Sequence, residues 1–371
     1  MSATNDLRPA ARLPLLFLGM ISLLAGVMAG LARLAWEVPP LAANAAGWHG
    51  ALMIPAFFGT VIGLERAVAI GRLWAYAAPA AAGLCGLCLI AGAPVAAAQA
   101  LALLAAAVML AASLQVLRRL FAPFTVVLAL GAACWLAGSV AWLASGALTA
   151  AVPWWLAFLV LTIAGERLDL TRFLPTPPAA QRLCIALVAV ILLGAALSVG
   201  QTDAGLRLFA GGLLALAAWL LRYDIARRNA RQKGLTRYIA LCLLSGYLWL
   251  ALASALGLAG ALAPGHAWRD AAVHALTLGF VFAMVFGHAP IIFPAVARVK
   301  MPYHPVFYLP LLALHASLAG RIGGGLAGDF AMQHGAAAVN AGTLLLFIAT
   351  VLGSVLRGRR QAAKELSNET P

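Results

Sequence analysis

The chain has 371 residues, of which 64% are apolar and only 10% charged, and its mean hydropathy is +0.97. So little polar surface cannot cover a soluble domain, which leaves an integral membrane protein with no room for an appended soluble domain. The formal net charge of +14 does not point to nucleic acid, because the Lys and Arg residues sit in short loops between apolar runs and no nucleic-acid motif accompanies them.

Residues 1–12 are largely polar, carry Arg8 and Arg12, and lead into an apolar stretch too long for the core of a signal peptide. That stretch reads as a first span. Further stretches of about 17 to 25 residues follow, placing spans at about 13–36, 44–64, 73–93, 95–117, 123–145, 149–165, 181–200, 204–222, 238–262, 270–296, 304–325 and 333–356. The expected fold class is all-α, a polytopic membrane protein of about twelve transmembrane helices forming one integral domain over 1–371. Alternate loops and both termini hold 21 of the 25 Lys and Arg residues, and the other side holds only Arg33, Arg207, Arg269 and Arg321. By the positive-inside rule both ends are then cytoplasmic. The Arg227–Arg237 cluster between spans eight and nine reads as a cytoplasmic anchor.

Within this series an internal repeat shows. Span two ends "GTVIGLERAVA" and span six ends "LTIAGERLDL", so that Thr60, Gly63, Glu65 and Arg66 correspond to Thr162, Gly165, Glu166 and Arg167. Span ten, "HALTLGFVFAMVFG", shares with span two an opening His and a closing Gly. Spans two, six and ten are four apart, which suggests three quasi-repeated four-helix units. The Glu–Arg pairs at the expected inner edge fit either a lock between helix ends and loops or a point where protons enter. The five cysteines fall in or beside apolar runs and read as buried thiols; Cys85 and Cys88 have CxxC spacing, but Leu89 follows where covalent haem attachment needs His.

An imidazole in hydrocarbon needs a partner, which draws attention to the seven histidines. His49 and His274 match in depth near the outer ends of two repeat-related spans. His334 begins span twelve, His266 precedes span ten, His315 lies mid-span in eleven, and His288 and His304 lie toward the inner side. At about 100° per residue, the fourteen residues from His274 to His288 end roughly 40° short of four turns and about 21 Å along the axis. That places both imidazoles near one face, as two stacked cofactor sites require. Two neutral imidazoles from facing helices suit the axial positions of a six-coordinate haem, whereas zinc or copper gathers three or four close donors. His49 and His274 are therefore the expected haem ligands, with Arg269 or Arg321 available for propionates. Pro290 and Pro294 disrupt helical bonding after His288, so freed carbonyls there can hold its ring N–H, or Pro290 simply ends the helix. His304 and His315 are candidate partners for His288 at a second haem or metal.

The stretches "WHGALMIPAFFGTVIGLERAVA" and "HALTLGFVFAMVFGHAPIIFPAV" resemble motifs of NnrS-type membrane proteins. More distantly, the four-helix repetition and the His placement resemble subunit I of haem–copper oxidases. The first resemblance implies a twelve-helix bacterial inner-membrane protein linked with haem, copper and resistance to nitric oxide stress. The second implies that His49 matches a helix-two haem ligand and His274 a helix-ten ligand. Spans six and seven hold no His, so the oxidase copper site has no counterpart. The expected cofactor is haem b, with copper implied by resemblance. Metal-ligating candidates are His49, His274, His288 and His334, and His315 joins the cofactor-binding set; no catalytic residue is assigned. Expected partners are the lipid bilayer, a small diatomic ligand such as nitric oxide and a periplasmic electron donor. The competing class is a twelve-helix secondary transporter of a small solute, with Pro290 and Pro294 breaking a helix; against it stand the four-helix period and the lack of a midplane charge.

Overall fold

The computed structural model describes residues 6–171, 174 and 177–369. Among them there is no strand, and twelve helices are long and apolar enough to cross a membrane. The chain is a multi-pass membrane protein. Its spans run Pro9–Ala32, Ala46–Ile70, Leu73–Ile90, Val95–Arg119, Pro123–Ser145, Leu148–Thr171, Pro178–Leu197, Thr202–Tyr223, Gly234–Leu258, Arg269–Ala297, Pro305–Ala327 and Phe330–Gln361. Proline opens several of them, at Pro9, Pro123, Pro178 and Pro305, where its missing N–H has no intrahelical partner to lose. Spans two and five stop at Gly71 and Gly146, whose φ of 65° and 69° a side chain would strain. The first span begins earlier than its hydropathy suggests, because Arg12 is buried there on Asp6 at 2.7 Å and Tyr76 donates to the same carboxylate.

The chain divides into two compact units, Met1–Gly212 and Leu213–Pro371. The border falls inside span eight.

In the first unit, span five packs along span six through large aromatic rings. Trp135 stacks on Phe158 with centroids 5.0 Å apart, and Trp142 meets Trp155 edge-on at 5.7 Å. All four side chains are fully buried. Close approach depends on missing side chains. A Cβ at Gly59 would lie 2.5 Å from the Trp135 ring, and one at Gly138 would lie 2.5 Å from Trp155. The repeat-related Thr60 and Thr162 return their hydroxyls to the carbonyls four residues back, Ala56 and Phe158, at 2.6 and 2.8 Å.

In the second unit, Phe286 of span ten lies flat on Phe347 of span twelve with centroids 3.8 Å apart. Asn340 of span twelve donates to the Ser317 hydroxyl of span eleven at 2.7 Å. Outward-facing leucines such as Leu312, Leu345 and Leu352 remain exposed, as a lipid-facing surface requires.

Spans two and ten share a departure from α-helical winding. Leu52–Phe58 and Ala275–Phe282 are π-helical, the first beginning three residues after His49 and the second directly after His274. Such segments are rare and concentrate at functional positions. The one in span ten also changes the geometry expected for its two histidines. A π turn winds less per residue than an α turn, so an angle counted at α-helical pitch does not carry across Ala275–Phe282. The single face expected for His274 and His288 has no such basis. Span ten continues as helix through Pro290 and Pro294 to Ala297, so neither proline ends it.

Candidate histidine site

His49 opens the helical part of span two after a short 3-10 turn over Ala46–Trp48. Its half-buried ring reaches span one, where Nδ1 meets the Gly26 carbonyl at 2.7 Å. A carbonyl only accepts, so Nδ1 carries the proton and Nε2 carries the lone pair. The ring seats against Gly30, where a Cβ would come 2.8 Å from Cε1 and 2.9 Å from Nδ1. Beside it, Trp48 packs on Trp142 at 6.2 Å, joining the start of span two to the aromatic core of the first unit.

His274 has the same tautomer from a richer set of partners. Nδ1 donates to the Asp270 carbonyl one turn back at 2.9 Å and lies 3.1 Å from that residue's carboxylate Oδ1. The carboxylate is in turn gripped from two other spans. Arg321 of span eleven forks onto it, Nε to Oδ2 at 2.9 Å and Nη2 to Oδ1 at 2.7 Å, and Gln333 of span twelve donates to Oδ2 at 3.1 Å. Two parallel charge-assisted bonds fix the plane of the carboxylate as well as its position. The expectation that Arg321 serves a propionate is corrected here: its guanidinium is buried and committed to Asp270. Arg269 points to the Leu262 carbonyl.

The remaining histidines are scattered over different tasks. His288 Nδ1 donates to the Met284 carbonyl at 2.8 Å. That carbonyl lies four residues back from His288 itself. The prolines release the carbonyls of Phe286 and Pro290, whereas Nδ1 is held by that of Met284. His315 takes the indole N–H of Trp249 on Nδ1 at 2.9 Å, and the two rings stack with centroids 6.2 Å apart. The proton of a neutral His315 therefore sits on Nε2, which is buried with no hydrogen-bond partner among the described residues. Neither ring nitrogen offers a lone pair to a metal, a physical argument against the expected cofactor role. His304 caps the turn before span eleven by accepting from Val306 N–H at 3.1 Å, and His334 packs on Phe330 with ring centroids 5.6 Å apart.

His49 belongs to the first unit; His274, His288, His315 and His334 belong to the second. Among the described residues no group of three or more His, Cys, Asp or Glu comes together as a metal site. What fits a haem is the chemistry of single imidazoles, each with Nδ1 held by an acceptor and Nε2 left as the basic nitrogen. Glu65 lies close enough to Glu166 and Arg66 to interact electrostatically with both, within the first unit.

Sequence reasoning missed Asp270, Gln333 and Trp249. Only Asp270 left a signal: in a chain with 11 acidic residues, it stands four residues before a histidine at the start of a span.

A family model described as a domain of unknown function (DUF8744) matches residues 12–356. Comparison with curated proteins finds no match.

Proposed function

The chain belongs to the DUF8744 family, and we propose that it is a haem-binding protein of the bacterial inner membrane that binds or turns over nitric oxide or a related small redox ligand, in the manner of NnrS-type proteins. One observation carries this reading. In two repeat-related spans a histidine stands just before a π-helical segment, and in both the ring N–H is tied to an acceptor so that Nε2 is the basic nitrogen. Metal-ligating histidines are held in this way, with the outer nitrogen fixed by a carbonyl or carboxylate. Iron in a bound haem b would supply a redox-active centre for a diatomic ligand. His49 and His274 would each ligate through Nε2, and His288, held on Met284, is the candidate for a second centre. The division of the basic residues supports both termini in the cytoplasm, with His49 and His274 toward the periplasm and a periplasmic electron donor.

A second reading, a transporter of a small solute, is favoured by the Asp270–Arg321 pair, because charges inside membrane spans mark transport paths as well as structural locks. His49→Ala and His274→Ala separate the two. Loss of haem absorbance from a folded protein supports ligation. Unchanged spectra with loss of solute uptake favour the carrier.

A further inference from the structure

We infer that Asp270 is the positioning residue of His274, acting as the hinge of a relay that runs from Arg321 and Gln333 to the imidazole. The inference rests on the reading of His274 as a ligand, and its geometry lies wholly inside the second unit. His49 and His288 are each held on a backbone carbonyl, Gly26 and Met284. His274 has its own helix's carbonyl and, in addition, a carboxylate oxygen at 3.1 Å. That carboxylate cannot rotate away, since the Arg321 fork and Gln333 occupy its oxygens from spans eleven and twelve. A carboxylate on the ring N–H makes the opposite nitrogen a stronger donor and keeps the ring in one orientation. The backbone carbonyl sets which nitrogen of His274 is offered to a ligand, and the Asp270 carboxylate sets how strongly it donates and how firmly the ring is held. It does so immediately before Ala275–Phe282, where the π winding withdraws the regular i→i+4 pattern that would otherwise hold the helix.

The sharpest perturbation is Asp270→Asn. The amide oxygen keeps one arm of the Arg321 fork and Gln333, and the amide NH2 replaces the carboxylate oxygen beside His274. The Asp270 backbone carbonyl still holds Nδ1–H. What His274 loses is the negative charge behind that N–H, so Nε2 becomes a weaker donor and the ring is less firmly oriented.

The test is 15N NMR of histidine-labelled protein purified in detergent without added haem, with His274→Gln identifying the resonance by its disappearance. Wild type should show His274 as the Nδ1–H tautomer; Asp270→Asn should keep that tautomer on the backbone carbonyl but displace the Nδ1–H resonance, and Asp270→Glu should move it back toward the wild-type position. Haemin titration of the same samples should show binding by Asp270→Asn weakened by about 10- to 100-fold. A wild-type His274 found as Nε2–H overturns the inference even if the Asn variant does not fold. So does an Asn variant whose Nδ1–H resonance stays at the wild-type position, or one that takes haemin as tightly as wild type. Should wild type take up no haemin, the haem reading falls while the displacement of the Nδ1–H resonance still decides the role of Asp270.

Discussion

Gly30→Ala tests the seat of His49 with a single methyl group. The added Cβ would sit 2.8 Å from Cε1 and 2.9 Å from Nδ1. Carbon contacts relax at about 3.5–4.0 Å, so the ring must back away by roughly 1 Å. The Nδ1 bond to Gly26 starts at 2.7 Å, and a shift of that size carries it past the range of a hydrogen bond. Its loss costs about 0.5–1.5 kcal/mol. Overpacking adds about 1–3 kcal/mol, so the sum is about 1.5–4.5 kcal/mol. Haem uptake should fall too, because the displaced ring no longer has its N–H held. Gly50→Ala is the control, since nothing lies within 4 Å of a Cβ there. It should leave stability unchanged or raise it by up to about 1 kcal/mol, the gain of Ala over Gly in a helix. Unfolding in mixed micelles, read beside haemin titration, gives both quantities. If Gly30→Ala unfolds with wild type and binds haemin equally well, the proposed seat for His49 is wrong.

Three further outcomes follow from the packing. Gly59→Ala drives a methyl into the fully buried Trp135 ring and should cost about 1–3 kcal/mol, read as a lower midpoint of unfolding. Arg321→Leu takes the guanidinium from the Asp270 carboxylate and should cost about 3 kcal/mol, the low end for a broken buried pair because Asp270 keeps some exposure and the Gln333 donor; adding Asp270→Leu should recover much of the loss. His315→Ala should leave haem content unchanged. A double-mutant cycle of His315→Ala with Trp249→Phe should return a coupling of about 0.5–1.5 kcal/mol for their hydrogen bond. A coupling near zero contradicts the assignment of His315 to Trp249.

Much of the architecture is legible in the residues because a bilayer asks for little: apolar runs of the right length, prolines where helices begin, and cations confined to alternate loops. Pro123 and Pro178 fall at the first positions of their helices, and the loop arginines separate spans that hydropathy alone would blur. The π segments were not legible. Leu52–Phe58 contains Pro55, which disturbs the helical hydrogen bonding without specifying a π turn, and Ala275–Phe282 has the composition of ordinary buried helix. Pairings across long stretches were hidden as well. Asp270 is 51 residues from Arg321, and Trp249 is 66 from His315, distances at which no periodicity connects partners. The histidines themselves were conspicuous. Their partners were not, and partners decide which nitrogen of a ring is basic.

The most direct measurement is the absorbance spectrum, with pyridine haemochrome quantification, of the full chain purified after haem-supplemented expression. A Soret band and an α-band in wild type, lost in folded His49→Ala and His274→Ala, is the predicted result. A spectrum without haem bands in wild type, or bands that survive in both variants, contradicts ligation by these two imidazoles.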